Sequence, residues 1–300
     1  MRRWLLAFAT MGLVAAACAS EAETPGSSPT SPAPMEQTAS ECVEANADAL
    51  FAADTLTIGT GNPAYQPWYG GKSVPDSEWK SSSFTGDPHT GEGYESAFAY
   101  ALAEELGFSE DQVDWVSVTF NKSFAPGDKD FDFAMQQISI TEKRERAVDF
   151  SEGYYDVNQA LIANEGSPAI GVTTLEGLKD LRLGAPVGST SLQAIEELVQ
   201  PSDGGHGYPD LDKALKDLKN GQLDGVVVDF PTAFYGYADV VVGQFPPIGG
   251  EQEQFGLTFE TGSPLVGCAN LGIEQLRDDG ALDELKDEWL EVDTSVPVFS

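Results

Sequence analysis

The chain has 300 residues, with 16 Lys and Arg against 49 Asp and Glu, for a formal net charge of −33 at pH 7. A charge of that sign repels phosphate, which argues against nucleic acid as a partner and against docking on anionic lipid through a basic patch. At 41% hydrophobic and 10% aromatic the chain can bury cores, so global disorder is excluded, and the length suggests about two domains.

Met1-Arg2-Arg3 is a short cationic start, and Trp4 to Ala17 is an almost wholly apolar run of 14 residues. The run is too short to span a bilayer comfortably and reads as the apolar core of a secretory signal over residues 1–17. It ends in Ala15-Ala16-Ala17-Cys18, which resembles a bacterial lipoprotein signal. The resemblance implies that Cys18 is lipidated and becomes the first mature residue. Ala15 stands where that pattern usually has Leu. The plainer alternative is an ordinary cleaved signal with Cys18 incidental. No later segment reaches about 18 apolar residues, so no transmembrane helix is predicted. Residues 18–41 are rich in Ser, Thr, Pro, Ala and Glu and read as a disordered tether with a reach of about 25 Å.

With Cys18 taken by lipid, Cys42 and Cys268 remain, an even pair in an oxidising compartment. Bonded, they would close a loop of more than 200 residues, worth on the order of 5 kcal/mol by chain entropy. The alternative is two independent thiols. There is no Cys-x-x-Cys and only His89 and His206, so a zinc site or a Cys–His nucleophile has little raw material. No metal and no cofactor are expected.

Thr55 to Ile58 is a short β-like run, followed by the Gly, Pro and aromatic stretch Gly59 to Gly71. Lys72 to Glu92 is polar and turn-rich and reads as a surface excursion. Gly93 to Phe108 is an amphipathic helix, with Phe98, Leu102 and Leu106 at i, i+4 and i+8 and Gly107 as a stop. Strands are predicted at Val113 to Phe120, Phe131 to Ile140 and Ala160 to Ala163. A short helix follows at Thr174 to Leu181, capped by Thr173 or Thr174. Leu183 to Val187 is a strand running into Gly188-Ser-Thr-Ser191 and a helix over Leu192 to Val199. Asp212 to Asn220 is a helix ended by Gly221, and Gly225 to Asp229 is a buried-strand run. Phe255 to Glu260 and helices near Val266 to Leu276 and Leu282 to Leu290 complete the chain. Strands alternating with helices throughout argue an α/β class.

The segment FDFAMQQISITEKRERAVDFSEGYY (Phe131 to Tyr155) resembles the signature of family 3 solute-binding proteins of ABC importers, and GLKDLRLGAPVGSTS, NGQLDGVVVDFPTAFY and EQFGLTFETGSPL follow in the family's order and spacing. The resemblance covers nearly all of Leu56 to Leu290. It implies a two-lobed periplasmic-binding-protein-like fold (type II), with the ligand cleft between lobes joined by two crossing strands. Lobe 1 is placed at 42–157 plus 256–300 and lobe 2 at 158–255. Cys42 and Cys268 then both fall in lobe 1, where a bridge would staple the termini without locking the hinge.

A free amino acid carries a carboxylate and an ammonium, and stripping their water costs several kcal/mol per ion unless each is paired. By the resemblance, Arg144 binds the carboxylate, which its planar fork suits. Asp229 binds the ammonium, from the carboxyl end of a strand. Ser139 assists the carboxylate, and a backbone carbonyl at Gln137 receives the ammonium. The family commonly has Gly, Ala or Ser at Gln136 and Gln137, so one glutamine side chain is expected to intrude on the cleft. Ser189 and Thr190 match an anion-favouring loop at a helix start. Tyr65 and Phe120 match two aromatic walls, Trp68 is wall or core, and Asn62 lies where some members read the side chain. Each has a plainer alternative: Arg144 as a solvated helix residue, Asp229 as a helix cap, the Gly188–Ser191 run as a simple cap. Asp224 is read as structural.

The function implied is an extracytoplasmic lipoprotein, a monomer anchored at the outer face of the cell membrane, that captures an amino acid or close analogue and delivers it to an ABC transporter permease. Few cations are available, so neutral polar ligands rank first, cationic second and acidic third. An enzyme on the same fold, dehydratase-like, is the alternative, but no Glu or His stands among the cleft motifs to serve as acid or base. A ligand-sensing domain is the third reading.

Overall fold

The computed structural model describes residues 37–290 and 292–300. The expected signal, Cys18 and the tether as far as residue 36 lie outside the described residues. The tether's last residues are already folded. Thr38 caps the helix Ala39–Ala45: its hydroxyl accepts the Glu41 N–H at 3.2 Å while the Glu41 carboxylate accepts the Thr38 N–H at 3.1 Å. This reciprocal box fixes the helix start. The helix buries Ala39, Cys42 and Val43, and Cys42 is bonded to Cys268 on the helix Leu265–Asp278. The bridge spans 226 residues of sequence, a loop whose closure removes about 5 kcal/mol of unfolded-chain entropy.

Two five-stranded sheets organise the rest. The first runs Val113–Ser117, Leu56–Thr60, Phe133–Ala134, Thr258–Phe259, Asp149–Phe150. Its first three strands are parallel, with Ile58 opposite both Trp115 and Phe133. Every residue of Leu56–Thr60 is buried, as expected of a central strand covered on both faces. Phe98 and Leu102 of the helix Tyr94–Glu105 pack in the same core as Ile273. The second sheet runs His206–Tyr208, Leu183–Pro186, Gly225–Asp229, Gln159–Ala163, Val240–Gln244. Its first three strands are parallel and the last two antiparallel to their neighbours. Between the sheets, Tyr155–Val157 and Glu253–Phe255 pair antiparallel as two crossing strands. The architecture is the two-lobed α/β one expected from the sequence.

Several elements differ from the sequence-based expectation. Phe131 to Ile140 holds only a two-residue strand, because Gln137 adopts a left-handed φ of 53° that no strand accommodates. Phe120 starts a short helix, Phe120–Ser123, rather than ending a strand. The helix expected over 174–181 is a single turn, Glu176–Leu178. Lys72 to Glu92 is no loose excursion: Trp79 is 1% exposed and its indole donates to the Gly61 carbonyl at 2.7 Å. Residues 292–300, assigned with lobe 1, pack on the second sheet instead. The Phe299 N–H donates to the Gln244 carbonyl at 2.8 Å, and its ring meets Phe245 at 5.2 Å. A Cβ at Gly243 would stand 2.6 Å from the Phe299 ring, so glycine makes room for that return.

Candidate functional site

Parallel strands end together, and where two such sheets face each other their carboxyl ends enclose a crevice. A cavity of about 330 Å³ lies there. One side is formed by the segments following Leu56–Thr60, Val113–Ser117 and Phe133–Ala134, namely 60–65, 118–121 and 136–137. The other is formed by 186–191, 209–211 and 227–229, which extend the strands of the second sheet.

The first wall is aromatic. Tyr65, Trp68, Tyr69 and Phe120 all reach the cavity. Trp68 is both wall and core: it is 1% exposed, stands edge-on to Tyr94, Tyr155 and Phe255, and donates from Nε1 to Thr232 Oγ1 at 2.9 Å across the cleft. Asn62 is on the wall, with its amide reaching the Glu78 carbonyl at 3.4 Å. Burial, then the charges of Asp212 and Asp210, push the pKa of the Tyr65 hydroxyl up.

The two glutamines line the cavity, but their amides are committed to lobe 1. Gln136 Nε2 donates to Ser123 Oγ and to the Val118 carbonyl. Gln137 donates from its backbone N–H to Glu95 Oε1 at 2.8 Å and from Nε2 to Glu95 Oε2. Those two bonds hold Gln137 in its left-handed conformation, which costs a non-glycine residue about 1–3 kcal/mol. Both glutamines thus reach the cavity while tied back by their amides, and the partner of Gln137 is a buried carboxylate that sequence reading passed over. Glu95 is 0% exposed, and burial raises its pKa against the hydrogen bonds from Tyr154 and Gln137. A carboxylate on the apolar side of a helix was the signal available for it.

Behind this end of the cavity lies a polar seam between the lobes. Thr141 caps the turn Glu142–Glu145, which aims Arg144 inward. Arg144 is 6% exposed, and its guanidinium lies 4.4 Å from the Phe124 ring centroid and 5.4 Å from that of Phe120. It donates from Nη1 to the Ser139 carbonyl at 2.6 Å and from Nη2 to the Gly188 carbonyl, across the cleft, at 3.0 Å. Burial pulls its pKa down to about 10, resisted by the charges of Glu253 and then Asp229. Neither Arg144 nor Ser139 is among the residues lining the cavity. Ser139 Oγ donates to Glu253 Oε1 at 2.6 Å and lies 3.1 Å from Thr190 Oγ1. The Ser189 hydroxyl serves as a cap, accepting the Leu192 N–H at 3.1 Å and donating to the Pro186 carbonyl.

Asp229 stands on the cavity wall at the end of its strand. Its Oδ1 accepts from Gln159 Nε2 at 2.9 Å, and Glu253 Oε2 accepts from the same nitrogen at 3.1 Å. Enclosure by protein, then the Glu253 charge, raise the Asp229 pKa to about 7, while Gln159 and Arg144 pull the other way. Glu253 and Gln159 went unnoticed in the sequence. Glu253 opens the segment EQFGLTFETGSPL, but as one of 49 acidic residues it was not singled out there. It also removes the sequence-based ground that no glutamate stands near the cleft. Asp224 pairs with Arg182 at 2.6 Å, a structural role. No group of three or more His, Cys, Asp or Glu placed to hold a metal occurs among the described residues.

Residues 74–292 match the family described as bacterial extracellular solute-binding proteins, family 3. The chain is 30% identical over 214 residues to the ABC transporter glutamine-binding protein GlnH of Bacillus subtilis (strain 168), covering 69% of this chain and 76% of that one. Among solved structures, an ancestral arginine-binding protein bound to arginine superposes with a TM-score of 0.62 at 25% identity, over 79% of this chain and 99% of that chain. The ancestral amino acid-binding protein AncCDT-1, a precursor of cyclohexadienyl dehydratase, has the same fold, with a TM-score of 0.63 at 24% identity over 85% of this chain and 100% of that chain.

Proposed function

Because the chain belongs to the bacterial extracellular solute-binding proteins, family 3, we propose that it is a lipid-anchored receptor that captures an amino acid in the cleft and hands it to an ABC importer. The observation that carries this reading is the cavity itself, enclosed by two lobes that touch around it. Hydrogen bonds cross the cleft from Trp68 to Thr232, from Asn121 to the Val187 carbonyl at 3.3 Å, from Arg144 to the Gly188 carbonyl, and from the Tyr237 hydroxyl to the Gln66 carbonyl at 2.8 Å. Such bonds form only when the lobes are together. A ligand that touches both walls therefore shifts an open–closed equilibrium by its differential affinity for the closed state. Asp229 receives the ammonium, which restores its ionised form. The carboxylate lies toward Arg144, Ser139 and Thr190, and the aromatic wall packs the side chain. Cys18 anchors the receptor, as a monomer, at the outer face of the membrane, and a permease reads the closed form.

A thermal-shift panel of the twenty amino acids, betaines and polyamines should show stabilisation by a subset that carries an α-carboxylate, rising with concentration as mass action requires. Arg144→Ala should remove that stabilisation while keeping the far-UV circular dichroism of the parent. Unchanged calorimetric affinity in that variant would sink the site assignment, and a panel without hits would sink the amino-acid reading.

The enzymatic alternative has one observation in its favour. Asp229 stands on the wall of an enclosed cavity, and that enclosure raises its pKa to about 7, where a general acid would be poised. Incubation with bound ligands followed by mass spectrometry decides it: recovery of unchanged ligand supports the receptor, and product formation supports the enzyme.

A further inference from the structure

Arg144 shares a hydrogen-bond partner, Ser139, with a carboxylate of the protein, Glu253. Segment 138–140 is tied to the crossing strand by the Ile140 N–H, which donates to the Gln254 carbonyl at 2.8 Å, and by the Gly256 N–H, which donates to the Ile138 carbonyl at 3.0 Å. That pairing sets Glu253 beside Ser139, whose hydroxyl it accepts at 2.6 Å. One amide nitrogen, Gln159 Nε2, then serves both Glu253 and Asp229. The seam thus holds two carboxylates against a single buried guanidinium. Glu253 is also the foremost charge acting on Arg144, ahead of Asp229.

The cavity wall carries Asp229 and Asp210 and no Lys, Arg or His. Tyr65 and Thr60, the latter with 0% exposure, also line it. A zwitterionic amino acid supplies one positive and one negative charge, which match Asp229 and Arg144 and leave Glu253 and Asp210 over.

We propose that Glu253 sets the charge class of the ligand: together with Asp229 and Asp210 it outweighs the single guanidinium of Arg144, leaves the cleft negative overall, and so favours an amino acid with a cationic side chain. This rests on the amino-acid reading above and places cationic ligands ahead of the neutral polar ones ranked first from sequence. The aromatic wall of Tyr65, Trp68 and Phe120 fits the same ligand, since ring faces attract cations.

Glu253→Gln removes the charge while keeping an oxygen to accept from Ser139. Calorimetry on the parent and the variant should use L-arginine, L-lysine, L-glutamine and L-glutamate. The parent should bind arginine or lysine at least about tenfold more tightly than glutamine. In the variant that ratio should fall by about tenfold, the scale of one unit charge acting over several ångströms in partly buried surroundings. Glu253→Asp, which keeps the charge, should retain the preference. An unchanged ratio in folded Glu253→Gln, a parent preference for glutamine or glutamate, or equal loss in Glu253→Asp would each overturn the proposal. If no amino acid binds the parent, the amino-acid reading itself has failed. Binding without charge preference sinks only the role of Glu253.

Discussion

The two lobes solve the same packing problem with different side chains, and the cleft inherits the difference. Lobe 1 is built around large rings, with Trp68, Trp79, Tyr94, Phe98, Phe133, Phe255 and Phe259 all wholly buried, and it is stapled by Cys42–Cys268. The core of the second sheet is mostly aliphatic, from Leu161, Leu183, Ile195 and Val227, and is closed by Phe299 of the C-terminal segment. The wall that each lobe presents follows suit: rings from the first, hydroxyls and two carboxylates, Asp210 and Asp229, from the second. One lobe therefore offers shape and dispersion, the other charge and directed hydrogen bonds. Only the closed cleft offers both to one ligand.

The sharpest way to break that division is Asp229→Asn. It should weaken ligand binding by more than about a hundredfold in calorimetry, the scale of losing one partner of an enclosed charge pair. The same variant should gain stability. The folded-state pKa of Asp229, about 7, lies above its ordinary 3.8, so the folded state holds the proton more tightly. Stability is then lost as pH rises from about 4 through 7. At about 1.4 kcal/mol per unit the penalty is at most roughly 4 kcal/mol above pH 7. The gain in Tm of the variant over the ligand-free parent should accordingly be larger at pH 8 than at pH 4. A gain independent of pH would contradict this.

Removing the staple probes lobe 1 alone. Cys42→Ala with Cys268→Ala should lower unfolding stability by about 2–5 kcal/mol in urea and leave ligand affinity within about twofold, because the bridge is remote from the cleft. A large loss of affinity in the folded double variant would mean that the staple shapes the site. Trp68→Phe is the smallest expected effect. It keeps most of the ring packing but removes the indole N–H that reaches Thr232. A loss of about 1 kcal/mol for that bond should appear as a few-fold weaker ligand affinity. Unchanged affinity would place Trp68 in the core rather than in the closure.

Much of the fold was legible because it is written in local pattern. The helix at 94–105 follows from its apolar spacing and the buried strand at 225–229 from its valines, and both occur. The seam was less legible because its members come from five places. Ser139 and Arg144 sat in a motif, and so did Asp229. Gln159 comes from a strand with no polar signature, and Glu253 opens the segment EQFGLTFETGSPL, where nothing local sets one glutamate apart as a site residue. Gln137 shows the same limit: its backbone geometry depends on Glu95, 42 positions away.

Sequence alone determined the α/β class, the order of the elements, the acidic charge and the residue types available for a zwitterion, because hydrophobic periodicity and composition are local quantities. Tertiary structure decided that Cys42 meets Cys268, that residues 292–300 return to the second sheet, and that Glu253 faces Ser139. Those outcomes depend on which distant surfaces bury each other. In a chain with 49 acids and 16 bases, only that burial tells a solvated carboxylate from one that governs a site.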